Sequence, residues 1–589
     1  MDLRDASTTA LQDNPQHPVS TAPATSGAGE AAQAHAAPAK LSGAKAEANR
    51  TKHTFSLYAP TAQGVACSCS AWGMTPKPMT RGADGTWTLD EELPAGSHTY
   101  TFRLNSLSWF AKGQEVDIPD PVSRLLSDDH KLSRLDIPAK DLAESYVWRH
   151  DAVPHPGHDR LAIYELYVQD FTRSAGKGTF NDVAGLLNHI SGLGCTALEL
   201  MPVMLAGGWG YTPTFFHAVE PRFGNEHALC NLVDEAHAAG MVVFFDGVYN
   251  HAGTDCPLAH IDHDCYFHHA PTNPDQAWGP QFNYSLNIPG TSEYPARHFI
   301  KAKVAHWIHA FHFDGIRYDA VSQIADHVFL GELTAWTRDL AGVKPFFSIA
   351  ECLPIDRSIV GEAGAMDACW NEPFTQRMRA LLAGQWDGDA LGRCYDCRRD
   401  GFASGLDAVN YLSSHDTGHT MRYLLDHGLD EGAALYRMRL GFIVLMTSIG
   451  IPMIWMGDEF GAMDPANQEP HPLPWDLLED PRRRELCDLV RGLLNLRKEH
   501  AALRSDNCSE LHRDDEQHLL VTHRWDDAGG RILIAIHAGD GDRSLTLEAP
   551  AAGEWHEHTL NFSHNTDGDG KLKIELAGWQ AQVFVFKPA

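Results

Sequence analysis

Basic residues are scarce in this 589-residue chain: 47 lysines and arginines stand against 77 aspartates and glutamates, a formal net charge of -30. Such a balance repels polyanions, which argues against nucleic acid and against anionic membrane surfaces as partners. Long hydrophobic runs are missing as well. No stretch reaches the about 18 uninterrupted apolar residues of a membrane-spanning helix. Cysteine is sparse, 12 in all, below the density of a disulfide scaffold. Cys195, Cys230 and Cys352 sit in apolar runs, where a buried thiol is expected, and this usage suits a reducing compartment. Cys394 and Cys397 form a single CxxC with no second pair at zinc-finger spacing, so buried thiols are the expected reading there too. Residues 1–52 are rich in Ala, Pro, Ser, Thr, Gln and Gly and hold no apolar core of signal-peptide length. They read as a disordered extension, and the cytoplasm as the location.

With 43% hydrophobic residues the chain can fill more than one core, and its length predicts about two to four domains. Residues 53–125 alternate in short strands at 54–58, 65–70, 86–89 and 98–102, with a hairpin signal at Asp84-Gly85. That spacing predicts a β-sandwich. Residues 126–160 read as a linker. From Leu161 the period changes. Apolar runs at 161–168, 196–201, 241–245, 315–318, 346–350, 366–370, 408–412 and 452–455 alternate with helical patterns near 181–192, 226–239, 296–311, 325–340, 374–384 and 430–448. Eight parallel-type strands with helices between them predict an α/β fold, a (β/α)8 TIM barrel over 161–500. An irregular stretch at about 251–293 reads as an inserted loop subdomain over the site. Residues 505–589 alternate again and predict a C-terminal antiparallel β domain.

Four of the barrel runs exit into polar residues. The third ends Asp246-Gly247-Val248-Tyr249-Asn250-His251, the fourth Arg317-Tyr318-Asp319, the fifth Ala350-Glu351 and the seventh Ser413-Ser414-His415-Asp416. A barrel places functional groups at the C-terminal ends of its strands, so these would converge. Arg317 and Asp319, two residues apart, share one face of a pleated strand. The guanidinium would hold Asp319 ionised and oriented, as suits a carboxylate nucleophile. Alone, that is an ordinary ion pair at a strand end; the three further segments of the same kind carry the reading. His260, His263, His268 and His269 show no clean ligand spacing and read as a solvated loop rather than a metal site.

In this order the four segments resemble the signature segments of the α-amylase superfamily, glycoside hydrolase family 13. Trp209-Gly210-Tyr211, Arg222-Phe223-Gly224 and the run Gly450–Gly461 are further matches. The resemblance is close over 161–475 and looser in the flanks. There, Tyr58-Ala59-Pro60-Thr61-Ala62, Trp72 and Asp84-Gly85-Thr86-Trp87 look like the N-terminal, carbohydrate-binding-module-like sandwich of glycogen branching and debranching enzymes. Trp72 and Trp87 would then stack on sugar or, as the plainer reading has it, fill the sandwich core.

The resemblance implies roles. Asp319 would be the nucleophile and Glu351 the general acid and then base, with Asp416 stabilising the transition state through the sugar hydroxyls. Arg317 would orient Asp319. His251 and His415 would donate to the sugar in the first donor subsite, Tyr211 would stack beneath it, and Asp246 would support or touch it. A retaining mechanism needs the two reactive carboxyls about 5–5.5 Å apart. Arg317 should lower the pKa of Asp319, while the apolar run and nearby aspartates should raise that of Glu351.

The implied activity is retaining chemistry on an α-glucan such as glycogen, starch or maltooligosaccharide, with 1,4-α-glucan branching as the leading reading. Ala320-Val321-Ser322 follows the nucleophile where many α-amylases carry Lys-His, which favours the branching and debranching group. The segments at Asp246, at Ser413 and at Cys352-Leu353-Pro354 depart from the branching pattern. A hydrolase of α-1,4 or α-1,6 bonds, trehalose-releasing types included, is therefore the alternative. A non-catalytic glucan-binding protein is a third reading, against which the intact Asp319, Glu351 and Asp416 argue. The chemistry needs no organic cofactor, and no metal site is assigned, although Asn250 matches a position that ligates calcium in some amylases.

Overall fold

A computed structural model describes residues 50–139, 142–151, 155–173, 178–289, 291–465, 469 and 471–588. Its centre is a closed parallel barrel of eight strands. In chain order these are β1 (Ile163–Leu166), β2 (Ala197–Leu200), β3 (Val242–Gly247), β4 (Gly315–Tyr318), β5 (Phe347–Ala350), β6 (Ala368–Trp370), β7 (Ala408–Tyr411) and β8 (Ile451–Trp455). The last pairs back onto the first, Met453 opposite Ile163. Every residue of the eight is buried. Strands covered on both faces read as unbroken apolar runs, and here six of the eight expected runs contain their strands, while β3 extends two residues past its run and β8 begins one residue before its own.

Inside the barrel Ile163, Ala197, Val242, Phe244, Phe347, Ile349, Trp370, Val409 and Met453 form one packed cluster. Gly315 fits where a larger residue cannot: a β-carbon there would lie 2.6 Å from the Phe347 carbonyl oxygen. Helices cover the outside. The first, Phe180–Leu193, turns Val183, Leu187 and Ile190 inward. The helical pattern expected near 181–192 begins at Phe180; its N-cap is Thr179, with Asp182 closing a reciprocal capping box. Among the described residues no helix is long and apolar enough to cross a membrane.

The first strand begins at Arg50 and pairs with Thr86–Pro94, so residues 50–52 belong to a sheet rather than to the expected disordered extension. Residues 1–49 lie outside the described residues. A second sheet, centred on Gly96–Asn105, includes Ser133–Ile137. The stretch expected as a linker thus supplies a sheet strand. Phe55, Leu57, Trp87, Phe102 and Leu104 are buried in the same core. Trp87 donates its indole N–H to the Ala59 carbonyl at 3.1 Å, and Trp72 sits edge-on to Phe55 with Lys77 4.3 Å above its face. Trp87 thus fills the core, and Trp72 packs against it half-buried.

The insertion after β3 is more ordered than its composition suggests. It carries the helix Pro257–Tyr266 and a bridge between Phe267 and Phe282. His263 and His269 both bond Asp264, at 2.9 and 3.0 Å. The tail, beyond the helix Pro481–Glu499, forms a six-stranded antiparallel sheet with a two-stranded companion.

Candidate active site

The barrel axis is apolar at one end and polar at the other, because inward positions recur every second residue. After Val242 and Phe244 the next inward residue of β3 is Asp246. After Gly315 on β4 come Arg317 and then Asp319, and β5 continues from Ile349 to Glu351. Arg317, fully buried, is the hub. Its Nη1 bonds Asp246 Oδ1 at 2.9 Å, Asp246 Oδ2 at 2.7 Å and Asp319 Oδ1 at 3.0 Å. Its Nη2 lies 3.0 Å from Glu351 Oε2. The two expected reactive carboxylates therefore sit on the two terminal nitrogens of one guanidinium. Trp370, at the end of β6, stacks 4.5 Å from the guanidinium carbon, leaving the cation no exit toward solvent.

Glu351 is also fixed from the backbone. The Ala320 N–H donates to Glu351 Oε2 at 2.8 Å. Ala320 adopts φ +47°, ψ +46°, a left-handed conformation unfavourable for a residue with a β-carbon. That turn aims the amide at the carboxylate.

Burial first, and the nearby Glu351 second, push Asp319 well above the ordinary carboxylate range. The expected sign was the opposite. Arg317 does pull Asp319 down, but one cation is shared among Asp246, Asp319 and Glu351, and desolvation acts on Asp319 undivided.

Tyr211 bonds Asp246 Oδ2 through its hydroxyl at 2.6 Å. Its ring stacks on His415, with centroids 5.0 Å apart and planes 11° apart. His415 is clamped at both nitrogens: Nδ1 to Glu165 Oε1 at 2.6 Å and Nε2 to Asp416 Oδ1 at 3.2 Å. Burial works against a charged ring, but the two carboxylates outweigh it and hold the His415 pKa well above its usual value. For Asp416 burial likewise acts upward, and His415 overrides it, bringing the carboxyl to about 2.

His251 stands beyond Asp246 on the same strand exit and is not bonded to the carboxylates. Its ring lies 5.8 Å from Trp278, its Nε2 is buried without a hydrogen-bond partner, and burial lowers its pKa to about 4. It is a neutral imidazole. Tyr211, Asp246, Arg317, Asp319, Glu351, His415 and Asp416 are thus linked into one constellation, with His251 at its edge.

Sequence reasoning missed Glu165 and Glu199. Both point into the barrel from β1 and β2, opposite each other in the ladder. Glu199 is held well above the usual carboxylate range by burial and then by Glu165, and its Oε2 has no partner. A charged residue in the middle of an apolar strand was the available signal. Asn250 Oδ1 is likewise buried and unpartnered, as a calcium ligand would be. Calcium needs about six to eight oxygens, and among the described residues no group of three or more His, Cys, Asp or Glu is placed to hold a metal.

Residues 165–285 match the family model of the alpha amylase catalytic domain. That stretch carries an alpha-amylase catalytic domain, and the chain is an enzyme. Among named relatives, the malto-oligosyltrehalose trehalohydrolase of Saccharolobus solfataricus is 29% identical over 70% of this chain and 74% of its own. The 1,4-alpha-glucan branching enzyme of Ralstonia nicotianae is 26% identical over 91% of this chain and 76% of its own. A type I pullulanase from Bacillus subtilis, solved with maltose, shares the fold at a TM-score of 0.76 and 18% identity, over 92% of this chain and 85% of that one.

Proposed function

We propose that this α-glucan enzyme works by double displacement, with Asp319 as nucleophile. The supporting observation is the pairing of Asp319 and Glu351 on opposite nitrogens of Arg317, which puts both carboxylates at one point in the barrel mouth. Asp319 attacks the anomeric carbon and forms a glycosyl ester, while Glu351 gives its proton to the departing glycosidic oxygen. Glu351, now a carboxylate, takes the proton of the acceptor, whose oxygen attacks the same carbon and releases Asp319. Asp416 binds the hydroxyls beside the bond as positive charge grows on the ring. His251 meets a sugar hydroxyl, Tyr211 packs beneath the ring, Asp246 and Arg317 hold the nucleophile, and His415 orients Asp416. The free state of all 12 cysteines supports a cytoplasmic location.

For the acceptor, our first reading is the 6-hydroxyl of a glucan chain, which makes the reaction 1,4-α-glucan branching. It is supported by the alignment with branching enzymes over 91% of the chain. The second reading is hydrolysis, trehalose release included, supported by the higher identity to trehalohydrolases. Incubation with amylose separates them. Branching lowers iodine staining and creates 1,6 linkages with little new reducing sugar; hydrolysis releases reducing ends in step with the loss of stain. Protein that bound glycogen and turned over no glucan would overturn both.

A further inference from the structure

Glu165 of β1 and Glu199 of β2 are direct partners in the parallel ladder. Adjacent strands run about 4.8 Å apart, so two side chains in register on one face are neighbours. Both residues are 2% exposed. Glu165 gives Oε1 to His415 at 2.6 Å, and its Oε2 is buried without a hydrogen-bond partner. Glu199 Oε2 is buried and unpartnered as well. A buried acceptor with no donor is costly, and here two stand side by side. One proton answers for both, because a carboxyl O–H on one residue can donate to a carboxylate oxygen on the other.

The charges around the pair decide which residue carries that proton. Glu165, Glu199, Asp246, Asp319, Glu351 and Asp416 gather at this end of the barrel against two cations. Arg317 is taken up by Asp246, Asp319 and Glu351, and His415 by Glu165 and Asp416. The sixth and eighth strands add only rings, Trp370 and Trp455, at 6.0 and 6.3 Å from His415. Among the described residues no ion pair reaches Glu199. A buried carboxyl with no cation keeps its proton, and two carboxyls in contact do not both ionise. Burial, and then Glu165 beside it, hold the Glu199 pKa well above the ordinary carboxylate range. Glu165 has the imidazole as its partner and is the member that ionises.

We propose that Glu199 is a positioning residue whose carboxyl O–H donates to Glu165 Oε2 and so fixes the carboxylate that in turn fixes His415 beneath Asp416. No proton passes to substrate from this pair. The proposal rests on the reading that His415 orients Asp416, and the test tells the two failures apart. Glutamine at position 199 offers an amide N–H in place of the O–H and cannot ionise; leucine fills the volume and offers no donor. Glu199→Leu should lower kcat about tenfold with KM little changed, and Glu199→Gln should restore most of that loss. The proton itself is read without substrate, on Glu199→Gln alone, which keeps the shape of the side chain. Difference infrared spectra at pH 7 should show the C=O band of a protonated carboxyl in wild type that Glu199→Gln lacks. A carboxyl with a raised folded-state pKa binds an extra proton in the native state, so wild type loses stability as pH rises from the unfolded value toward the folded one. The unfolding constant of Glu199→Gln relative to wild type should therefore fall by up to tenfold per pH unit across that window. No carboxyl band at pH 7, or stability curves that run parallel in pH, would overturn the shared proton. Wild-type kcat in Glu199→Leu would overturn the positioning role. Wild-type kcat in His415→Ala would sink the reading of the site and the positioning role with it, while leaving the infrared band in place.

Discussion

Replacing Glu165 by glutamine keeps the shape of the side chain and removes its charge, which isolates what that charge does for His415. The bond between them is 2.6 Å long and wholly buried, the geometry of a charge-assisted hydrogen bond. Such bonds contribute about 1.5–3 kcal/mol, against about 0.5–1.5 kcal/mol for neutral ones, so the substitution should cost about 1–1.5 kcal/mol. The loss falls on the imidazolium. His415 has a folded-state pKa raised above its unfolded value, so its protonated form, and the stability that form contributes, is present at low pH and lost as pH rises through the folded value. Without the Glu165 charge that loss begins at lower pH. The alkaline limb of kcat/KM on amylose should therefore move to lower pH in the variant. Activity should fall about fivefold to tenfold at alkaline pH and less near pH 6. A variant whose profile is parallel to wild type, reduced by one factor at every pH, would show that Glu165 only fills space.

Asp319→Asn and Glu351→Gln should each reduce turnover by about a thousandfold or more while leaving Tm within a few degrees of wild type; near-wild-type turnover in either rejects its role. Lys303 is fully buried and donates to the Tyr249 hydroxyl at 3.1 Å, with the Tyr249 ring 4.2 Å away. Burial holds its pKa well below 10.5, so the unfolded chain binds the extra proton and stability rises with pH between the two values. Lys303→Met should remove that rise and stabilise the protein at pH 7 by about 1–3 kcal/mol in urea unfolding. Trp87→Ala should destabilise the sandwich by about 3–5 kcal/mol, whereas a stacking platform for sugar would lose glucan binding and keep its Tm.

The barrel was legible because its strands are covered on both faces, so each appears as an apolar run without alternation. Val242 to Phe245 is the plainest case. The site was legible because its residues stand where those runs stop. Glu165 was missed although a charge inside an apolar run marks it, because its partner His415 is 250 residues away and the pairing itself has no local sign. The direction of the Asp319 shift could not be read either. The sequence shows Arg317 beside it, but not that Asp246 and Glu351 share the same guanidinium, nor how thoroughly water is excluded. The strand Ser133–Ile137 escaped notice because Arg134 and Asp136 break its apolar pattern and its partner Gly96–Asn105 lies far back in the sandwich.

The most direct test of the mechanism is intact-mass and peptide-level mass spectrometry of Glu351→Gln mixed with α-maltosyl fluoride. Fluoride departs without acid assistance, while the second step still needs the missing base, so the intermediate should accumulate. One maltosyl unit esterified to the peptide containing Asp319 is the predicted result. An adduct on any other residue, or turnover of the fluoride with no adduct at all, would contradict the assignment of Asp319 as nucleophile.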